Sequence, residues 1–318
     1  MSLFHIDMRK YDDFPKSLRK NKYKFIFCFS FLSIVSFLVF YVGINAQSIV
    51  MAFQKFVREK PMDPGYYVWS LDNFKNIYYE LTGNATSSTQ LLTAFKNTIF
   101  LFFMGNAVTL PIGCFIAYYF WKKMTGYTFF RTVFYLPSII STVVMVIIYQ
   151  NIIQPNGLIS WINVQFTGEM LPPYLAQYDT AIWFVWIYCT WDGFAGPFIL
   201  LTAALNRIPE EVIESAQLDG ITPLREFFSI CVPLIWPTLY IILLQKIAGI
   251  LSADGPILLL TNGDYNTYTL GFWSYMQVIV SHSYEFPAAV GLCMTAVVAP
   301  IAILSKYLMG KVYSDVEY

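Results

Sequence analysis

Charge is what this 318-residue sequence has least of. Only 13% of its residues are Asp, Glu, Lys or Arg, where a soluble domain carries roughly a quarter. Hydrophobic residues make up 57% and aromatics 19%, and the mean hydropathy is +0.52. A chain of this composition cannot cover itself with polar surface in water, so a soluble globular fold is excluded. Histidine is almost missing: His5 and His282 lie far apart and offer no metal-ligand spacing. The five cysteines, Cys28, Cys114, Cys189, Cys231 and Cys293, contain no CxxC and read as unpaired thiols in apolar runs. No GxxxxGK[ST] occurs, so no P-loop cradles a nucleotide and any ATP hydrolysis must belong to another chain. With no paired His and no cluster of catalytic acids, an intramembrane enzyme has little to rest on. Internal repeats, which many secondary transporters show, are absent as well.

What the sequence does have is long apolar runs. A spanning helix needs about 20 mainly apolar residues at a rise of 1.5 Å each. Six stretches qualify: Phe25–Met51, Asn97–Phe120, Thr132–Gln150, Ala181–Leu205, Leu234–Leu251 and Ala288–Ser305. None alternates as a membrane β-strand would, so the expected fold is all-α, a polytopic six-helix bundle. A signal peptide would have a shorter apolar run followed by small residues, so the first run reads as a retained helix. The expected organisation is a basic tail 1–24, a first span 25–52, an outer loop 53–96, a core of five spans over 97–308 and a tail 309–318. Prolines within the runs, among them Pro111, Pro137, Pro197, Pro237 and Pro300, are either kinks that shape packing or points of flexing.

Net charge is zero, but its distribution is not even. Seven Lys and Arg precede the first span: Arg9, Lys10, Lys16, Arg19, Lys20, Lys22 and Lys24. Lys122, Lys123, Arg131, Arg207, Arg225, Lys306 and Lys311 fall on the same side. The opposite side has Lys55, Arg58, Lys60, Lys75 and Lys96, and its two later loops have none. The positive-inside rule then places both termini in the cytoplasm, in a multi-pass plasma-membrane protein surrounded by lipid. Nucleic acid is not an expected partner. On the outer side, NATS at residues 84–87 has the form of a glycosylation acceptor, meaningful only in a eukaryotic secretory context. The stretch SADGPILLLTNGDYNTYTLGFWSYMQ mixes apolar runs with Gly, Asn and Asp. Irregular backbone at membrane depth must be buried in protein or line a cavity.

One polar stretch interrupts the apolar half. Residues 206–233 are far longer than the two to eight residues that usually join packed helices, and they carry their own helix signals. Pro209, Glu210 and Glu211 suit a first turn at the positive end of the dipole. Val212, Ile213 and Ala216 share a face. Gly220 suits a left-handed stop, and Thr222-Pro223 opens a second helix expected to run to Pro233. Two short helices with a bend, held at the membrane face, make a docking element.

These residues resemble the EAA loop of permease subunits of ABC importers. That motif is Glu-Ala-Ala, three residues, Gly, nine residues, then Ile-x-Leu-Pro. Here it reads Glu214-Ser215-Ala216, Gly220, Ile230-Cys231-Val232-Pro233, with Ser215 and Val232 as mild departures. IPEEVIESAQLDG resembles the carbohydrate branch, of the maltose-type oligosaccharide kind. LDNFKN, AFKNTI, YLPSIIS and LLLTNGDYNTYTL agree, although TNGD replaces the usual TGGP. The resemblance covers most of residues 71–308. It implies a second similar permease, an ATPase dimer that uses ATP and Mg, an extracytoplasmic sugar-binding protein and a bacterial or archaeal membrane. This chain itself is expected to bind no cofactor and no metal and to catalyse nothing. Glu210, Glu211, Glu214, Ser215, Ala216, Asp219 and Gly220 would couple to the ATPase. ABC permeases for other polar solutes, such as glycerophosphates, are the alternative. A phosphate path should show Arg or Lys, and only Lys246 qualifies.

Two charges lie inside spans. Asp192 is near the middle of the fourth and Lys246 well inside the fifth. A charge at the bilayer centre costs about 2.5–3.5 kcal/mol on insertion scales, so each must face protein or water. They form an ion pair inside the bundle, or they line a path for sugar hydroxyls. Trp191 and Tyr188 supply aromatic faces beside Asp192, and Asn262 and Asp264 offer polar contacts on the outer side.

Overall fold

A backbone in hydrocarbon must pair its own N–H and C=O groups, and a helix does so within one segment. The computed structural model, which describes residues 16–58, 65–83, 90–251 and 255–312, follows that rule. Arg9, Lys10, residues 84–87 and the end of the C-terminal tail lie outside the described residues. The helices are α1 (Lys16–Ser36), α2 (Ile44–Ala52), α3 (Asp72–Leu81), α4 (Gln90–Trp121), α5 (Tyr127–Ile139), α6 (Thr142–Ile153), α7 (Leu158–Thr167) and α8 (Ala181–Asp192). They continue with α9 (Ala195–Leu205), α10 (Glu210–Leu218), α11 (Pro223–Glu226), α12 (Val232–Ala248), α13 (Gly255–Leu260), α14 (Leu270–Ile279) and α15 (Glu285–Val312). Among the described residues six segments are long and apolar enough to cross a membrane. The fold is therefore the expected all-α, polytopic one.

The first crossing segment joins α1 to α2 through a π-helical stretch, Phe37–Gly43. Its apolar window buries no side chain against the rest of the chain. Only its end is held, where Ala52 packs with Ala289, Val290 and Met294 of α15. The long α4 is the axis of the bundle, packing against α8, α9 and α14. α12 packs against both α9 and α15. The core accordingly falls into clusters along the axis. One, around Ile77, Leu91, Leu270 and Trp273, lies where α4 begins. Another, around Tyr118, Leu205, Ile213, Phe227 and Ile235, lies where α4 ends.

Several boundaries differ from expectation. The third span, expected as one helix over Thr132–Gln150, is broken. Pro137 lies inside α5, Ile140 is extended at φ −82° and ψ 144°, and α6 restarts after Ser141. By length and composition the crossing segment is Thr142–Thr167. The fourth span is likewise interrupted after Asp192, between α8 and α9. The second helix of the polar stretch does not stop at Pro233. α11 passes through a π-helical turn, Phe227–Cys231, into α12, so the fifth span begins at Pro223 rather than Leu234. A proline removes the bond to the carbonyl four residues back and crowds it. For Pro233 that carbonyl belongs to Ser229, inside the π turn, where the helical bonding is already shifted.

Between the first two spans, expected only as a loop, the chain forms a two-stranded antiparallel hairpin, β1 (Gln54–Val57) with β2 (Tyr66–Trp69), followed by α3. Buried Asn73 donates its amide to the carbonyls of Ala52, at 3.1 Å, and Gln54, at 2.8 Å. That side chain fixes the hairpin to the end of the first span.

Candidate functional site

The polar stretch 206–233 is a built element at one end of the bundle. α10 starts after Pro209, whose φ of −59° and ψ of 134° make it the cap rather than the first helical residue. Glu210 and Glu211 occupy the first turn, where the helix dipole favours acids. Gly220 has φ +77°. Its N–H donates to the Gln217 carbonyl at 3.0 Å, and the Ile221 N–H to that of Ala216 at 3.2 Å. This is a left-handed stop that satisfies the last carbonyls.

α10 has two unlike faces. Ile213 is buried with Ile208 and Phe227, so it faces the chain's own bundle and not an outside partner. Glu210, Glu211, Glu214, Ser215 and Asp219 are exposed, and Ala216 is half-buried. Leu218, which sequence reasoning passed over, is 89% exposed, and Leu224 across the bend is 67% exposed. The signal was present: both are large apolar residues beside the left-handed Gly220, off the row that Ile213 buries. The outer side of α10 is therefore acidic, with an exposed leucine on each side of the bend.

The loop is tied to the bundle by a residue that sequence reasoning also missed. Glu226 is 3% exposed. Lys122, just past the end of α4, places its Nζ 2.6 Å from Glu226 Oε1. The Tyr118 hydroxyl donates to the same oxygen at 3.2 Å and lies 3.2 Å from the Pro223 carbonyl. Phe227 stacks on Phe115 with centroids 4.5 Å apart, and Lys122 sits 5.0 Å over the Trp121 ring.

The mid-span residues do not converge. Lys246 lines a cavity of about 200 Å³ with Thr98, Asn106 and Thr109 of α4 and Thr269. Asn262 lines a separate cavity of about 350 Å³ with Gln150, Tyr174 and Tyr265. Asp264 is exposed and lines neither. Tyr188 is fully buried and stacks edge-on against Trp191; its hydroxyl has no hydrogen-bond partner. Asp192 is near enough to Tyr188 and Lys246 to interact with both electrostatically. Among the described residues, however, the ion pairs within 4.0 Å are Lys55–Asp72 and Lys122–Glu226, and Asp192–Lys246 is not one of them. The Thr and Asn residues of α4 that line the Lys246 cavity are the lining that sequence reasoning missed. They recur along α4 at Thr98, Asn106 and Thr109.

The irregular stretch after α13 is partly buried: Thr261, Gly263, Thr267 and Thr269 are covered, while Asn262, Asp264 and Asn266 are exposed. Asn262, Gly263, Tyr265 and Asn266 all have positive φ. Asn97 donates to the carbonyls of Asn266 and Tyr268, and Thr98 accepts from the Leu270 N–H at 2.8 Å. Gln150 donates to the Leu259 carbonyl at 3.0 Å. Side chains of α4 and α6 thus replace the bonds that a helix would have made.

A bundle of six crossing segments, with one structured loop tied beneath it, is the build of a membrane transport subunit. The chain belongs to the family of binding-protein-dependent transport system inner membrane components, whose model matches residues 109–317. It is 26% identical over 206 residues to the multiple sugar-binding transport system permease protein MsmF of Streptococcus mutans serotype c, covering 64% of this chain and 70% of that one. It is 24% identical over 296 residues to the arabinooligosaccharides transport system permease protein AraP of Bacillus subtilis, covering 87% and 86%. Its fold matches a chain of a bacterial alginate ABC transporter, solved in complex with an alginate pentasaccharide-bound periplasmic protein. The TM-score there is 0.77 at 19% identity, covering 93% of this chain and 98% of that one.

Proposed function

We propose that this chain is one of two permease subunits of an ATP-driven importer of an oligosaccharide, and that α10 and the bend at Gly220 receive the push of a separate ATPase dimer. The observation that carries the reading is the loop itself. It is folded, fixed to its own bundle through Ile213 and Glu226, and bare along Glu210, Glu214 and Leu218. A surface ion pair is worth about 0–1 kcal/mol, whereas reversing a two-state equilibrium takes about 5.5 kcal/mol of differential interaction. A packed helix can deliver that, and a loose loop cannot. The positive-inside pattern supports a cytoplasmic position for this loop and for both termini. The names of MsmF and AraP support a sugar as cargo.

Cargo would pass close to the cavity lined by Lys246, Thr98, Asn106 and Thr109, with Asp192 near enough to Lys246 to act on it electrostatically. Hydroxyl and amide groups suit sugar hydroxyls. Lys246 in that lining is the specific observation that favours the second reading, an anionic solute such as a glycerophosphate. The test is co-purification from the native membrane, followed by ATPase measurement with oligosaccharides and with glycerol phosphate. The reading expects no ATPase activity from this chain alone, and oligosaccharide stimulation of the assembled complex. Hydrolysis by the isolated chain, or stimulation by the phosphate alone, overturns it in whole or in its choice of cargo.

A further inference from the structure

We propose that Lys122, Tyr118 and Glu226 form a latch that passes motion of the coupling loop into the second span, α4, as well as into the fifth. This rests on the coupling-loop reading and deepens it. The loop has a covalent route into the bundle, because α11 runs on into α12. The latch is a second, non-covalent route. Phe115, Tyr118 and Lys122 are spaced by three and four residues, so they share one face at the end of α4. That face meets Pro223, Glu226 and Phe227, which form the first turn beyond the bend.

The chemistry suits a joint rather than an ornament. A carboxylate this deeply buried needs a partner, and Glu226 has two, Lys122 at 2.6 Å and the Tyr118 hydroxyl at 3.2 Å. Two apolar side chains in these places would pack in several registers. A buried pair allows one, and its best-attested use is to fix register. The cationic end is held in turn over the Trp121 and Tyr118 rings, at 5.0 and 6.0 Å. Lys122 and Glu226 are positioning residues and touch no cargo.

The test uses the whole transporter, this chain with its second permease and ATPase dimer in lipid nanodiscs. Deuterium exchange is read in α10 and in residues 109–121, with and without ATP plus vanadate. In the wild type both segments should respond. In Lys122→Met and Glu226→Gln the α10 response should persist. The response of residues 109–121 should fall roughly tenfold, a loss of about 1.4 kcal/mol of coupling. Lys122→Arg should keep the response, and the swap of Lys122→Glu with Glu226→Lys should restore most of it, which no loss of packing explains. Tyr118→Phe keeps the ring and the ion pair, and should lower the response roughly threefold. A wild-type response in the single variants, or in Tyr118→Phe where those do not assemble, overturns the latch while leaving the coupling loop standing. A wild-type α10 that ignores ATP overturns the coupling loop and the latch together.

Discussion

Asn97, near the start of α4, holds the irregular backbone after α13 by donating to the carbonyls of Asn266 and Tyr268, the latter at 2.9 Å. Asn266 is left-handed, as are Asn262, Gly263 and Tyr265 before it, and Tyr268 follows this irregular run. Asn97→Leu keeps the volume and removes the donor. One of these bonds is exposed and the other half-buried, so losing the donor should cost about 1 kcal/mol, and the variant should insert normally but unfold at a lower temperature. Faster amide exchange in residues 262–270 would localise the loss to this stretch.

Gly193 marks the break between α8 and α9. A Cβ there would come within 2.7 Å of the Cys189 carbonyl, and that atom is backbone, so it cannot swing aside. Gly193→Ala should therefore reset the angle between the two halves of the fourth span and reduce uptake several-fold. Gly196, with nothing near its added Cβ, is the control. Gly196→Ala should transport like wild type, and equal losses in both would remove the steric account.

At Gly220 the constraint is the backbone angle, not space. Its φ is +77° and nothing lies within 4 Å of an added Cβ. Gly220→Ala should cost about 1–2 kcal/mol, Gly220→Asn less, and Gly220→Pro should abolish transport while the subunit still inserts. Uptake in membrane vesicles, normalised to inserted protein, ranks the three. Wild-type uptake in Gly220→Pro would sink the role given to the bend.

Leu218 and Glu214 lie one turn apart on the bare side of α10. Leu218→Asp and Glu214→Lys remove nothing from the core, so thermal stability should stay within about 0.5 kcal/mol of wild type. Recovery of the ATPase with the tagged permease should drop at least tenfold for Leu218→Asp, about 1.4 kcal/mol. Undiminished recovery in both variants would move the docking surface elsewhere.

The hairpin end responds to acid in a definite direction. The hydrogen bond from Lys55, at 2.9 Å, holds the Asp72 carboxyl below its ordinary value of 3.8, and Ser70 adds to it. A depressed folded value means the contribution is present above pH 3.8 and is lost as pH falls through the lower, folded value. Exchange in β1 should therefore quicken at the acid end of that window. The step should be small, because the pair is exposed, and Asp72→Asn should abolish it.

Much of this fold was legible because membrane helices announce themselves by length and apolarity alone. The spans expected over Ala181–Leu205 and Ala288–Ser305 show it, the latter lying within the longer α15, as does α10, where Pro209 and Gly220 punctuate the chain by backbone chemistry. Legibility failed where tertiary partners decide. Pro137 could equally have kinked a continuous helix, and only packing makes Ile140 extended. Gln54–Val57 and Tyr66–Trp69 are four-residue strands, too short to stand out beside turn signals; they pair with each other, and Asn73 bonds the start of the first and the Ala52 carbonyl before it. Glu226 looked like one more loop acid. Its partners are 104 and 108 residues away, and no local pattern points to them. The mid-span path was the least legible part, since Lys246 was visible as a charge but Thr98, Asn106 and Thr109 became its neighbours only through the packing of α4.

The helical run from Pro223 to Ala248, π-helical over Phe227–Cys231, sets a gearing. At 1.5 Å per residue, Glu226 and Lys246 are about 30 Å apart along one helix. If that rod pivots about its Glu226 end, a tilt of about 5° sweeps Lys246 sideways by roughly 2.5 Å. A displacement of that size is nearly the width of a water molecule. On the proposed function, a small rotation at the foot of the bundle would be enough to reshape the cavity that Lys246 lines.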